Sequence, residues 1–348
     1  MSHFIVSGHL SSQLAPFLVT HAYPPHPVVT SSGPVASAQS SPLTPQATYN
    51  GGYSSATTVR LRVANGGAGQ AGLIGAFADA FIQWRVESFK EEPFTVEWYL
   101  GDTTQSLSYL SLGYVDVAFT YNKAAELAEI KSKKAVRREL VFMDHFYLVG
   151  PTSNPAALDG LTDDVLDMFN KIVGCGNVDL AIPPDPSVRP PTRFLSRYDK
   201  SATNIKESEL FIEIGQVPWA LAYSSWYHQY PRFPIQALSA ASFLAEYTLT
   251  DRGTWLSSPQ SVTDTLLIFA QGPWSSANSG APADSSMPTP AESDALLNPC
   301  NALLAVEPQD KNLAETFMDW LVALDGGQEV VMTFMKNGEV LYAPAITE

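Results

Sequence analysis

The sequence is poor in cysteine and in positive charge, and it lacks a long apolar run. Its only cysteines, Cys175 and Cys300, do not show the spacing of metal ligands and leave open either one disulfide or two free thiols. Lys and Arg number 20 against 35 Asp and Glu, a net charge of -15, so nucleic acid is excluded as an expected partner. No run of about 18 apolar residues occurs, so no membrane-spanning helix is expected.

Charged side chains are missing altogether from the first 59 residues, which hold seven prolines and four of the six histidines. Such a segment buries too little apolar surface to offset the entropy lost on ordering. We therefore predict a disordered Ser/Pro-rich tail over residues 1–57, in which the histidines occur as polar residues rather than metal ligands. No secretory leader is recognisable in it.

From Val59 onward, short apolar strands alternate with helical patterns. Residues 59–63 and 94–100 read as strands, and they are followed by the turns 66–69 and 102–104, which are rich in glycine or hydroxyl residues. Small and hydroxyl residues between a strand and a helix are typical of ligand sites in α/β sheets, because helix N-termini present unpaired N–H groups. The pattern predicts an α/β fold.

The chain is long enough for two cores, and two crossings between them are predicted near Pro151 and residues 258–272. Residues 58–150 and 262–348 are expected to form lobe I, and residues 151–261 lobe II, with a hinge between the lobes. A Ser-, Pro- and Ala-rich stretch, about residues 272–299, is predicted to be a disordered insertion in lobe I.

Two clusters combine hydroxyl groups with cations immediately before or within a helix start, at residues 196–203 and 247–254. Backbone N–H groups, hydroxyls and an arginine in each cluster could converge on one anion. The alternative is that each cluster only caps a helix and forms a surface Arg–Asp pair. The residues alone leave both interpretations open.

These two clusters, together with the turns 66–69 and 103–105, resemble the tungstate- and molybdate-binding proteins of bacterial ABC importers, which have the periplasmic-binding-protein-like fold of type II. The run 247–254, Tyr-Thr-Leu-Thr-Asp-Arg-Gly-Thr, is the most specific match, and the resemblance covers residues 58–348 apart from the insertion. It departs from the family at 66–69, which carries no hydroxyl, and at Tyr198, Lys200 and Ala202, where the family has Gly, an acidic residue and Gly.

The resemblance implies a two-lobed protein that captures a tetrahedral oxyanion, tungstate or molybdate, without a cofactor or metal. Asp199 and Asp251 are expected to orient the arginines. The expected ligand-binding residues are Ala68, Gly69, Thr103, Thr104, Ser196, Arg197, Ser201, Thr203 and Arg252. A membrane permease is a possible partner, a monomer is expected, and the resemblance favours an extracellular location. Sulfate and phosphate require similar donors and stay open as ligands.

Two other functions remain open. The protein could be a sensor or degenerate binding module whose closed form contacts a partner through the aromatic run 219–230. It could also be an enzyme on the same fold with His145 or His228 as a general base, although the common nucleophile, phosphate-loop and zinc-protease motifs are lacking. We therefore expect a binding protein rather than an enzyme.

Overall fold

The computed structural model describes residues 43–220, 224–274 and 290–345. The strands in chain order are β1 (Ala47–Tyr49), β2 (Val59–Asn65), β3 (Thr95–Leu100), β4 (Val117–Thr120), β5 (Ala135–Pro151), β6 (Phe194–Ser196), β7 (Tyr227–Gln229), β8 (Tyr247–Asp251), β9 (Leu266–Gln271), β10 (Ala291–Glu292), β11 (Leu297–Ala305), β12 (Met335–Lys336), β13 (Glu339–Val340) and β14 (Ala343–Pro344).

The helices connect these strands and cover both faces of the sheet. They are α1 (Gly67–Ala71), α2 (Leu73–Phe89), α3 (Thr103–Ser111), α4 (Lys123–Lys131), α5 (Val165–Ala181), α6 (Ala202–Glu213), α7 (Pro234–Leu244), α8 (Arg252–Ser257), α9 (Gln260–Thr263), α10 (Lys311–Val322) and α11 (Gly327–Thr333), with 3₁₀ turns at Pro218–Ala220 and Asp294–Leu296. No described helix is long and apolar enough to cross a membrane.

The main sheet runs in the order β1-β3-β2-β4-β11-β5-β8-β6-β7. Strands β2, β3 and β4 are parallel, and so are β6, β7 and β8, whereas β11 and β5 run antiparallel to their neighbours. The 17-residue β5 pairs with β11 over its first part and with β8 and β9 over residues 146–151. Strand β5 therefore links the two groups of parallel strands, since it pairs directly with β8 and reaches β4 through β11.

Two large hydrophobic clusters lie on the two parts of this sheet. The first packs α2 and α10 against β2–β4 and includes Phe77, Phe81, Phe119, Phe317 and Trp320. The second packs α5 and α6 against β6 and β8, and it includes Phe169, Phe194, Phe211, Tyr227 and Tyr247. Each cluster is rich in edge-to-face aromatic pairs, such as Phe81–Phe317 at 4.9 Å and Phe169–Phe211 at 4.8 Å between ring centroids.

Both predicted disordered segments extend too far. Residues 43–57 are described, and β1 pairs antiparallel with β3 because Tyr49 packs into the first cluster. Residues 290–299 are also ordered, since β11 starts at Leu297 and pairs across β5. Residues 1–42 and 275–289 lie outside the described part. Cys175 and Cys300 are free thiols.

Candidate functional site

A cavity of about 630 Å³ lies where the carboxyl ends of β2, β3 and β4 face those of β6 and β8. Loops from both groups of parallel strands line it, together with β5, the start of β11 and Tyr342 near the C-terminus. This is the place where open α/β sheets bind ligands, because helix N-termini converge there.

The loop between β2 and α1 contributes the glycines Gly66 and Gly67 to the cavity wall. Gly66 passes so close to the neighbouring loop that a Cβ atom would lie 2.9 Å from the carbonyl oxygen of Gly101, which explains why glycine stands there. The predicted donors on this loop are placed differently. Ala68 is buried in the first hydrophobic cluster, and the N–H of Gly69 donates to Asn65 Oδ1 at 2.7 Å.

The next loop begins α3 with a capping box. The Asp102 carboxylate accepts from the N–H of Gln105 at 2.8 Å, and the Gln105 side chain accepts from the N–H of Asp102 at 3.0 Å. This cap fixes Thr103 at the first position of the helix, where it is buried and lines the cavity. Thr104 points to solvent and does not line it.

Across the cavity, the loop between β6 and α6 supplies a buried cation. Arg197 is only 5% exposed, and its guanidinium forms an ion pair with Asp199. Its Nε atom is buried and has no hydrogen-bond partner among the described residues. Ser201 caps α6 by accepting from the N–H of Asn204, and Thr203 lies in the first turn of the same helix. Arg197, Asp199, Ser201 and Thr203 all line the cavity.

The same loop contains two side chains in the left-handed backbone region. Tyr198 has φ 45° and Lys200 has φ 66°, conformations that glycine adopts without the steric cost paid by other residues. Tyr198 and Lys200 are two of the three positions in this cluster, with Ala202, at which the sequence departs from the family that it resembles. The backbone is thus held in this path although Tyr198 and Lys200 carry side chains, and both residues are exposed rather than in the cavity wall.

Ser196 is a predicted ligand residue that the structure places behind the cavity wall. It is fully buried, its Oγ donates to Glu207, and it accepts from the Tyr227 hydroxyl at 2.7 Å. Burial raises the pKa of Glu207 to about 7 despite hydrogen bonds from Ser196 and Asn204. This buried hydrogen-bond network holds Ser196, the residue directly before Arg197, in place.

Arg252 is likewise placed outside the cavity wall. Its guanidinium donates to the Tyr147 hydroxyl, to Glu339 at 2.6 Å and to the Val340 carbonyl at 3.2 Å. Asp251 does not orient it: the Asp251 carboxylate lines the cavity and accepts from the N–H and hydroxyl of Thr254 at 2.8 and 2.6 Å. The sequence could not reveal this, because Glu339 lies 87 residues downstream.

Several cavity residues were missed by the sequence reasoning, including Asp144, Asn298, Tyr121 and Tyr342. Asp144 is 6% exposed, and burial, followed by the nearby Asp251 carboxylate, raises its pKa well above the ordinary value. Its position within the long β5 gave no local signal. A second cation, Arg232, reaches the cavity rim and is exposed.

The two candidate general bases have other surroundings. Burial lowers the pKa of His145 to about 4, and its ring packs on Trp274 with Nε2 3.1 Å from the Pro273 carbonyl oxygen. His228 pairs with the buried Glu246 at 2.8 Å. Neither histidine lines the cavity. In residues 43–220, 224–274 and 290–345, no group of three His, Cys, Asp or Glu side chains is placed to hold a metal ion.

A sheet with two groups of parallel strands, a shared crossover strand and a cavity at the facing strand ends defines the class of two-lobed periplasmic-binding-protein-like folds of type II. The chain belongs to the PBP superfamily, whose domain model matches residues 51–324. The predicted fold class and family resemblance are confirmed.

The relatives support this assignment. A solved structure described as "a periplasmic putative metal binding protein" is 45% identical, with TM-score 0.74 over 87% of this chain and all of that one. The tungstate-binding protein TupA of Peptoclostridium acidaminophilum is 30% identical over 44% of this chain and 48% of its own length. The TupA structure from Desulfovibrio alaskensis is 21% identical, with TM-score 0.62 over 84% of this chain and all of that chain. This chain spans about half the length of the curated relatives it matches.

Proposed function

We propose that the protein is a solute-binding protein that captures a tetrahedral oxyanion, tungstate or molybdate, in the cavity between its two lobes. The observation that carries the proposal is Arg197, a cation 5% exposed in the cavity wall whose Nε has no hydrogen-bond partner among the residues that the structure describes. Burying an unsatisfied donor is costly unless a ligand satisfies it. The relatives described as tungstate-binding proteins supply the class of anion.

The other donors lie on both sides of the cavity. Ser201, the N-cap of the 12-residue α6, and Thr203 in its first turn lie on the same side as Arg197, and Thr103 at the start of α3 lies on the opposite side. The positive ends of these helices favour a negative ligand, and each hydrogen bond contributes about 0.5 to 1.5 kcal/mol, with more from the guanidinium. Gly66 and Gly67 replace Ala68 and Gly69 as the proposed backbone contacts on the first loop.

Four carboxyl groups also line the cavity, and a bound anion must tolerate them. Asp102 and Asp251 accept hydrogen bonds from the helix starts that they cap, and Asp199 is paired with Arg197. Their charge is thereby partly compensated. Asp144 has no cation partner among the described residues, so its protonation state decides whether a bound anion meets a further negative charge.

The size of the cavity supports the proposal that the lobes close on binding. A volume of 630 Å³ corresponds to roughly 20 water molecules, far more than one small oxyanion displaces. We propose that lobe I, residues 58–150 and 262–348, and lobe II, residues 151–261, close about β5 and exclude this water, which strengthens each polar contact. The monomeric protein would then deliver its ligand to a membrane permease.

The test is calorimetric titration of the full chain with tungstate, molybdate, sulfate and phosphate. Arg197→Ala should weaken binding by about 2 to 5 kcal/mol, because it removes one side of a buried charged contact. Lys200→Gln is the matched control: it removes a neighbouring cation that is exposed and outside the cavity wall, and it should bind like wild type. If none of the four anions binds, the proposal is refuted and a sensor or degenerate binding module is favoured. Divalent cations are titrated in parallel, because the 45% identical relative is described as a metal-binding protein.

A further inference from the structure

Asp144 is a buried carboxyl group in the cavity wall that forms no ion pair with any described residue. One oxygen accepts from the N–H of His145 at 2.8 Å, and the other lies 3.4 Å from Asn298 Nδ2, a long contact. Within the part of the chain that the structure describes, no Lys, Arg or His forms an ion pair with Asp144. An ionised carboxylate is expensive to bury without such a partner.

The charges around Asp144 favour its neutral form. The Asp251 carboxylate opposes ionisation of Asp144, and the cation that would favour it, Arg252, is bonded to Glu339 and Tyr147 instead. His145 is neutral because burial lowers its pKa to about 4. Burial, as the largest of several causes, raises the pKa of the neighbouring hydroxyl and thiol groups, so these groups are also neutral. They are Tyr121, Tyr147, Tyr342 and Cys300.

The two carboxyl groups on this side of the cavity are not equivalent. Asp251 accepts from both the N–H and the hydroxyl of Thr254, at 2.8 and 2.6 Å, which are contacts that stabilise a carboxylate. Asp144 receives one short N–H contact and one long one. Asp144 therefore has fewer donors to offset a negative charge, and burial and the Asp251 carboxylate both favour its protonated form.

We propose that Asp144 is a specificity-determining residue that stays a carboxylic acid and donates its O–H to the bound oxyanion, so that the site selects a fully deprotonated dianion. This inference rests on the proposed oxyanion-binding function. A tungstate, molybdate or sulfate dianion offers only acceptors, and an ionised Asp144 beside it would repel it. The acid form turns this repulsive contact into a charge-assisted hydrogen bond.

The proposal fixes the direction of the pH dependence. A bound dianion favours the proton on Asp144, so the pKa of this group is higher in the complex than in the free protein. Affinity is therefore constant while free Asp144 keeps its proton and falls as pH rises through the pKa of the free protein, by up to tenfold per pH unit. Sulfate is a suitable probe because it stays a dianion across the neutral range.

The experiment is titration of the full chain with sulfate and tungstate from about pH 6 to about pH 9 at constant ionic strength. Asp144→Asn keeps a donor that does not titrate, so it should bind within about threefold of wild type at the acid end and show no fall at high pH. Asp144→Ala removes the donor and should weaken binding by about tenfold or more. Asp164→Asn is the control, an exposed carboxyl group outside the cavity wall that caps α5 in the same way that asparagine can, and it should keep the wild-type profile.

Several outcomes decide the matter. A flat wild-type profile together with tight binding by Asp144→Asn and weak binding by Asp144→Ala supports the proposal, since the proton is then held throughout the range. Loss of binding in Asp144→Asn, an unchanged affinity in a folded Asp144→Ala, or a pH-dependent fall that persists in Asp144→Asn overturns it while leaving the oxyanion site intact. Absence of anion binding by wild type at every pH overturns the proposed function and this inference with it.

Discussion

Arg252 offers a direct test of how the C-terminal hairpin is held. Its guanidinium joins three separate parts of the chain: the Tyr147 hydroxyl on β5, Glu339 and the Val340 carbonyl on the hairpin β12–β13, and the ring of Trp274, 4.7 Å away. We predict that Arg252→Ala destabilises the protein and leaves anion affinity within about threefold of wild type, because Arg252 does not line the cavity.

The magnitude follows from the exposure of each contact. Tyr147 is 4% exposed, and a buried hydroxyl that loses its partner costs about 1 to 3 kcal/mol. The cation–π contact with Trp274 contributes about 0.5 to 1 kcal/mol. The Glu339 side chain is 41% exposed, so its ion pair contributes about 0 to 1 kcal/mol. Together these contacts predict a loss of about 1.5 to 5 kcal/mol in the free energy of unfolding.

The assay is urea denaturation of wild type, Arg252→Ala and Glu339→Gln, with an anion titration of each protein. Glu339→Gln removes only the exposed ion pair and should cost less than about 1 kcal/mol. The reasoning is refuted if Arg252→Ala changes the free energy of unfolding by less than about 0.5 kcal/mol yet weakens anion binding strongly. That result would return Arg252 to the ligand shell that the sequence resemblance predicts.

Two further substitutions test the packing and burial of residues in and beside the second hydrophobic cluster. Burial raises the pKa of Glu207 to about 7 from its ordinary 4.5, so folding favours its protonated form. As pH rises from 4.5 to 7, the free energy of unfolding of wild type should therefore fall by a few kcal/mol relative to that of Glu207→Gln. Parallel stability profiles of the two proteins in denaturation experiments would contradict this. Gly150→Ala places a Cβ 2.2 Å from the buried ring of Tyr247 and should cost about 1 to 3 kcal/mol in a urea midpoint measurement. Gly174→Ala, a helical position with open space around it, is the control and should be neutral or stabilising; equal effects of the two alanines would refute the packing argument.

Local patterns are enough to predict the first strands and the loops that follow them. The alternation in β2 and the hydroxyl-rich turn before α3 are local signals, and the structure places Thr103, Arg197, Ser201 and Thr203 at one cavity. Strand-to-helix loops converge at one edge within each group of parallel strands, so local signals locate the loops of each group. Thr103 lies across the cavity from Arg197 only because β5 and β11 join the two groups.

Long-range contacts explain what local patterns cannot predict. Arg252 follows a strand just as Arg197 does, but a hairpin 87 residues downstream occupies its guanidinium. Asp144 enters the cavity only because β5 crosses from one group of strands to the other. The start of β11 follows a low-complexity stretch, and pairing along β5, rather than local composition, makes Leu297 part of a strand.

The continuity of β5 also bears on how the protein unfolds. The strand contributes Val141 and Phe142 to the first hydrophobic cluster and Phe146 and Leu148 to the second. Neither cluster can lose its order without removing buried side chains and hydrogen-bonded neighbours from the other. Despite having two cores, residues 43–348 are therefore expected to melt in a single cooperative transition, and a ligand bound in the cavity would protect the whole of this unit against thermal unfolding and proteolysis.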